Sequence, residues 1–376
     1  METKKIVLLD NETEGHHLAF MTIFAETLVK LQYNVVVFYP YPDLVKANLL
    51  PVLNQEETNR IEFIKYKEPE REFKIWSKID GLLNVLYKWK YVNRIIKSYE
   101  FEKKTKVDVV FFAWLDSYLT NYLHPKILHL FFNFKWSGLY FHPKHMRYSE
   151  DLWSLNPSLS DVDICLSSSN CIGLAIHDEG IISHYSNRIK NNVILFSEIA
   201  DDTVPDTNCS IANHIKLKAN GRIVIGMVGL EYHKGTSTLY RLSQIAPSND
   251  FYFVFIGKQR LETYSETDKI NLEKFYNTTH ENIFFSFNPL REGAEYNAVF
   301  SVLDIPYLVY NNFASTSNRL TKASIFEKPV IASNRFCVAD DVIRYGLGEV
   351  VEENNAEASL LGIIKIKNDI ENGMYK

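Results

Sequence analysis

Short runs of β-branched and aromatic residues alternate with helical patterns from one end of this chain to the other, and that alternation leads to parallel sheets covered by helices. In the first half the runs are KIVLLD, NVVVFYP, IEFIKY, VDVVFFAW, KILHLFF, VDICLSS and NNVILF. Between the first two, Leu18, Phe20, Ile23, Phe24 and Leu28 recur at helical spacing, which makes a strand-helix-strand unit. From Ile199 to Gly221 the sequence turns polar and loses its period; RIVIGMVGL then opens a second series, continued by FYFVFIG, NIFFSF, DIPYLVY, KPVIAS and GEVVE. Helices are expected between these strands from about Thr236, Glu262, Gly293, Ser317 and Ala339. A length of 376 residues is more than one core usually fills. The expectation is two α/β domains, residues 1–200 and 221–376, joined by a linker at 201–220. Ligands bind outside the carboxyl ends of parallel strands, so the two domains are expected to face each other across a cleft.

A net charge of -5 argues against a nucleic-acid binder, which needs a strongly basic face. Cys165, Cys171, Cys209 and Cys337 have neither metal-ligand spacing nor a disulfide pattern, and read as buried residues in a reducing compartment. The opening METKKIVLLD is too brief for a signal peptide, and no run is long enough to span a bilayer. The chain therefore reads as cytoplasmic.

Three stretches of the second half carry chemistry. GMVGLEYHKGTSTL, from Gly226, runs strand, glycine, loop, Lys234-Gly235, helix. A diphosphate needs such parts: backbone that comes close at Gly229, unpaired amides at a helix start, and a cation in Lys234. Neither G-x-G-x-x-G nor G-x-x-x-x-G-K-S/T is present. Gly257 and Lys258 leave the next strand at the same sheet edge. The loop NNFASTS feeds a helix whose first amides, around Ser317, Asn318 and Arg319, point toward the same region.

These segments, with KPVIAS and YGLGEVVEENN after them, resemble the GT-B nucleotide-sugar glycosyltransferases of the family 4 type. The resemblance covers residues 221–355 well, and the first half by strand order and by EGHHLAF in its first loop. It implies a GT-B fold of two Rossmann-like domains, a nucleotide-diphosphate sugar as donor on the second, and a glycan or lipid-linked acceptor on the first. It also implies no cofactor, no metal, and retention of configuration. That family carries two glutamates separated by seven residues before the KPVI segment; here Ala314 and Lys322 stand in those places. The arginine that partners the phosphate lysine is replaced by Leu230 and Glu231. FASTSNRL is similar to a serine-rich variant of that region. Lys322 cannot accept hydrogen bonds from ribose hydroxyls, but it can support a phosphate. Arg319, one turn earlier on the same face, can supply the missing guanidinium.

On the acceptor side, Gly15 lets the chain pass close to a sugar, and His16 and His17 begin the first helix, where an imidazole can assist proton transfer. Asp116 leaves a strand end and can orient or deprotonate the acceptor. His129, His142 and His145 are weaker candidates, His129 being expected in a buried strand. Asp161 and Asp163 form a D-x-D that reads as a solvated strand entry. Residues 74–106 mix lysines with Trp76, Tyr87, Trp89 and Tyr91, a pattern that fits either a packing helix or peripheral contact with the inner membrane face. Two other functions remain open: a catalytically silent partner or glycan-binding subunit, and a sugar-nucleotide epimerase.

Overall fold

Lys5–Leu9 is almost wholly buried, and it pairs on both sides: with Asn34–Tyr39, Val7 opposite Val36, and with Val109–Phe112, Val7 opposite Val110. A strand buried on both faces is the mark of a parallel sheet with helices above and below. The computed structural model describes residues 4–13, 17–68, 77–148, 157–278 and 280–375. The chain divides into two units, Met1–Ser197 and Glu198–Lys376.

In the first unit the strands are β1 (Lys5–Leu9), β2 (Asn34–Tyr39), β3 (Ile61–Lys65), β4 (Val109–Phe112), β5 (Trp136–Tyr140), β6 (Cys171–Ile176) and β7 (Val193–Leu195). They form one parallel sheet in the order β3-β2-β1-β4-β5-β6-β7. The second unit contains β8 (Ile223–Leu230), β9 (Phe251–Gln259), β10 (Ile283–Ser286), β11 (Ile305–Leu308), β12 (Val330–Ser333) and β13 (Gly348–Val351), in the order β10-β9-β8-β11-β12-β13. In each sheet the order reverses beside the first strand, between β1 and β4 and between β8 and β11. That reversal opens a crevice at the strands' carboxyl ends.

Two expected strands of the first half are not strands. KILHLFF lies in the helix Pro125–Phe131, where Pro125 takes the first helical position and the His124 ring accepts from the Lys126 amide. ICLS, within VDICLSS, is a 3-10 turn, Ile164–Ser167. The strands are instead WSGLY and CIGLAI. Glycine is required at Gly138, because a Cβ there would lie 2.8 Å from the Phe112 carbonyl oxygen. The stretch read as a linker, 201–220, belongs to the second unit and carries the helix Ser210–Ala219, which buries Ala212 and Ile215.

The helix Ser77–Lys103 covers one face of the first sheet. Its Trp89 is fully buried, with ring centroids 4.9 Å from Phe112, 4.8 Å from Phe132 and 5.2 Å from Trp136, and its indole N–H donates to the Tyr118 carbonyl at 3.0 Å. Trp89 is thus core, not a membrane-facing residue, and truncating such a side chain costs about 3–5 kcal/mol. Trp76 lies outside the described residues. Among the described residues no helix is long and apolar enough to cross a membrane.

The D-x-D reading is corrected. Asp163 is fully buried, not solvated, and its carboxylate meets His145 Nε2 at 2.8 Å and the Tyr185 hydroxyl at 2.6 Å. Arg188, also buried, pairs with Asp161 and stands 3.9 Å from Asp163. Burial alone would raise the Asp163 carboxyl, but His145, Tyr185 and Arg188 hold it below its ordinary value. His129 is half-buried on a helix and bonds Ser168 at 2.7 Å. All four cysteines are buried and none is in a disulfide.

Candidate functional site

β8 ends in a local irregularity between Val228 and Leu230, where its pairing with β9 shifts register. Gly229 sits at that shift with φ +87°, a conformation that side chains resist. A Cβ built on Gly229 would lie 2.8 Å from Lys234 Nζ and 2.9 Å from Arg319 Nη2. Two cations from different loops therefore end over the same glycine. Gly257, φ +112°, supports it from β9, since a Cβ there would lie 2.9 Å from the Gly229 nitrogen. Gly235, φ +77°, lets the next helix start hard against β11; a Cβ would strike the Val309 carbonyl oxygen at 2.0 Å.

Neither adjoining helix start is capped by a side chain. Thr236–Ile245 begins after Gly235, and Asn318–Ile325 begins after Ser317, whose hydroxyl instead meets the Tyr310 hydroxyl at 3.0 Å. Their first amides lack the usual side-chain acceptor. Ser237 and Ser315 each bury a hydroxyl with no hydrogen-bond partner. Buried polar atoms are nearly always satisfied, so one orphan in the first turn of the helix Thr236–Ile245 and one in the loop before Asn318–Ile325 mark a place built for something else.

The electrostatics agree. Burial, and then the Arg319 charge, bring the Lys234 ammonium down to about 8, against the pull of Glu231 3.3 Å away. Burial would raise the Glu231 carboxyl, but Lys234, His233 and Arg260 hold it below the usual range. Arg319 donates to the Tyr310 hydroxyl at 3.3 Å, its Nε is buried without a partner, and among the described residues no carboxylate pairs with it. Because both nitrogens lie within 2.9 Å of one point, the two charges are close enough to repel by roughly 3 kcal/mol or more at an effective dielectric near 20. An anion between them would reverse the sign of that contribution.

The sequence placed Gly229, Lys234, Gly235, Gly257 and Arg319 at one site, and the structure brings these five together. Lys258 is exposed beyond the end of the buried part of β9. Ser317, Asn318 and Lys322 are engaged elsewhere. Asn318 donates its side-chain amide to the Ile199 carbonyl. The Lys322 ammonium is buried against the Asp201 carbonyl at 2.9 Å and the Asn297 amide oxygen, over the Tyr296 ring. These side chains, with Thr316 on Glu198 at 2.7 Å, fasten the segment Glu198–Thr203 to the second unit. Tyr310 and Tyr296, which hold Arg319, were missed by the sequence; the tyrosine closing DIPYLVY was the available signal.

The first unit has its own cluster at the carboxyl ends of β1 and β4. His17 Nδ1 lies 2.7 Å from the buried Asp10 carboxylate, and its ring packs 4.4 Å from Trp114. A carboxylate on Nδ1 fixes the tautomer that leaves Nε2 as an acceptor. Asp116 accepts from the Phe141 amide at 2.9 Å, the His142 amide at 3.0 Å and the His142 ring at 3.0 Å, so it orients His142 and does not stand free. Gly15 and His16 lie outside the described residues. Sequence reasoning missed Asp10 as the partner of His17, although it closes the first strand. Among the described residues no group of three or more histidine, cysteine or acidic side chains forms a metal site.

No protein-family model matches the chain, and no curated protein sequence matches it. Solved structures do. A glycosyltransferase from Rickettsia africae superposes with a TM-score of 0.56 at 16% identity, covering 98% of this chain and 89% of its own. Sucrose-phosphate synthase from Thermosynechococcus elongatus gives 0.62 at 16% identity, covering 97% and 90%. HepE from Anabaena, solved in complex with UDP and glucose, gives 0.58 at 12% identity, covering 99% and 91%. Likeness at such low identity speaks to architecture, and with two parallel sheets in the observed strand orders it establishes that this chain has the two-domain GT-B fold of these glycosyltransferases.

Proposed function

We propose that the protein is a glycosyltransferase that moves a sugar from a nucleoside-diphosphate sugar to an acceptor hydroxyl of a glycan or lipid-linked glycan. The observation that carries this reading is the convergence of Lys234 and Arg319 on Gly229, with no carboxylate on Arg319 among the described residues. A diphosphate satisfies both cations, the uncapped amides and the orphan hydroxyls at once. As the sugar leaves, negative charge grows on the phosphate oxygens, and these fixed donors stabilise it without rearranging. The reading has this neutralisation done by the two side chains, without a metal and with no cofactor. Retention of configuration is carried over from the family resemblance.

Binding of UDP in HepE supports a uridine nucleotide as the first donor to try. On the first unit, His17 oriented by Asp10 is the group best arranged to take a proton from an acceptor hydroxyl. Four buried cysteines with no disulfide among them support a cytoplasmic setting for the protein. Calorimetry with UDP, GDP and ADP sugars, followed by product analysis with the one that binds, tests the reading. Micromolar binding and release of the nucleoside diphosphate are expected; binding of none of the three would favour a silent partner subunit instead.

A further inference from the structure

A second polar pocket opens in the same unit, beyond the carboxyl ends of β11, β12 and β13, with a volume of about 590 Å³. Small-molecule pockets occupy roughly 300–1,000 Å³. One wall is shared with the cation site: Asn311 takes the His233 carbonyl on its amide at 2.8 Å and gives its side-chain N–H to the Tyr232 carbonyl at 2.8 Å. That second bond fixes which way the carboxamide faces. The Asn311 side chain lines the pocket, is 6% exposed, and its oxygen is buried with no partner.

The opposite wall carries one arginine and two glutamates. Glu353 accepts from Arg335 at 2.8 Å and from the Asn312 amide, and Glu352 accepts from the Asn355 side chain at 2.9 Å. Asn334 and Asn354 add carboxamides, and the Tyr232 ring, 40% exposed, offers a flat apolar face. Asn312 and Asn354 hold φ of 47° and 58°, and Phe336, under the Arg335 guanidinium at 4.5 Å, holds 64°. A phenylalanine there is a true outlier, held only by well-determined surroundings. Carboxamides that both accept and donate, carboxylates that accept, one ion pair and one open ring describe recognition of a neutral, hydroxyl-rich molecule, not of an anion.

We propose that this pocket is a saccharide site that holds one hydroxyl-rich ring against Tyr232. The ring belongs either to a sugar nucleotide anchored at Lys234 or to a glycan. The first source rests on the function proposed above; the second does not.

The test uses the full chain and the double variant Asn334→Ala with Glu352→Ala, both at exposed positions. Arg335→Ala is the second variant. UDP, UDP sugars and an array of mono- to trisaccharides serve as probes. If the sugar arrives on a nucleotide, a UDP sugar binds at least fivefold tighter than UDP, and both variants erase that gap while UDP affinity holds. If it arrives on a glycan, an array member binds and loses at least tenfold in both variants, with the nucleotide gap unmoved. Saccharide or sugar-nucleotide binding that is indifferent to both variants, or no binding of any saccharide with UDP bound normally, overturns the proposal. Loss of UDP binding alone would count against the diphosphate reading and leave the glycan arm standing.

Discussion

Lys234 Nζ and Arg319 Nη2 both lie within 2.9 Å of the point where Gly229 would carry a side chain. The missing methyl is what gives the two cations a common target. Gly229→Ala should therefore weaken UDP binding at least tenfold while leaving circular dichroism unchanged, because it fills the meeting point and strains a backbone at φ +87° by about 1–3 kcal/mol. Calorimetry on the purified variant reads this directly.

Binding should also depend on pH in a particular direction. The Lys234 ammonium sits at about 8 in the free protein, lowered first by burial and then by Arg319. A diphosphate favours the charged form, so binding takes up protons and affinity falls as pH rises from 7 to 9. The phosphate, with a second pKa of about 6, is already about nine-tenths ionised at pH 7 and adds little slope in that window. Lys234→Arg is expected to flatten the profile between pH 7 and 9, which titrations at four pH values would measure.

Asp10→Asn should act on transfer and not on donor binding. The amide no longer holds His17 in the tautomer with Nε2 as acceptor, and the loss of a positioned base costs about 10²–10⁴-fold in turnover. Nucleotide affinity, set in the other unit, should be unmoved. Comparing kcat with the UDP dissociation constant separates the two effects.

The Asp163 network makes a prediction about stability. Its carboxyl is held below the ordinary value in the folded chain. The stabilisation is thus complete above the unfolded value of about 3.9 and is lost as pH falls through the folded one. Asp163→Asn removes one of the two carboxylates that face the buried Arg188 and should cost about 3 kcal/mol. All five tryptophans lie in the first unit, so a urea transition followed by tryptophan fluorescence reports on it.

The second unit was legible almost strand for strand, because its runs are β-branched, uninterrupted and separated by clear helices. The first was less so around Gly138, which close backbone packing demands, and Gly173, whose φ of +150° side chains resist, since both dilute the strand pattern. In KILHLFF a run of apolar residues hid a helix that only Pro125 announced. The glycine-lysine loop was readable since its parts are adjacent in sequence. Arg319 was reached only through the absence of an arginine elsewhere. The fate of Lys322 was out of reach, because its partners, Asn297 and Asp201, come from remote segments that no local pattern connects to it.

Calorimetric titration of UDP into the wild-type chain and into Arg319→Ala tests the central claim most directly. If the Arg319 guanidinium and the Lys234 ammonium clasp a diphosphate over Gly229, the variant should lose at least tenfold in affinity, the worth of about one charge-assisted hydrogen bond of 1.5–3 kcal/mol. An unchanged dissociation constant would contradict it.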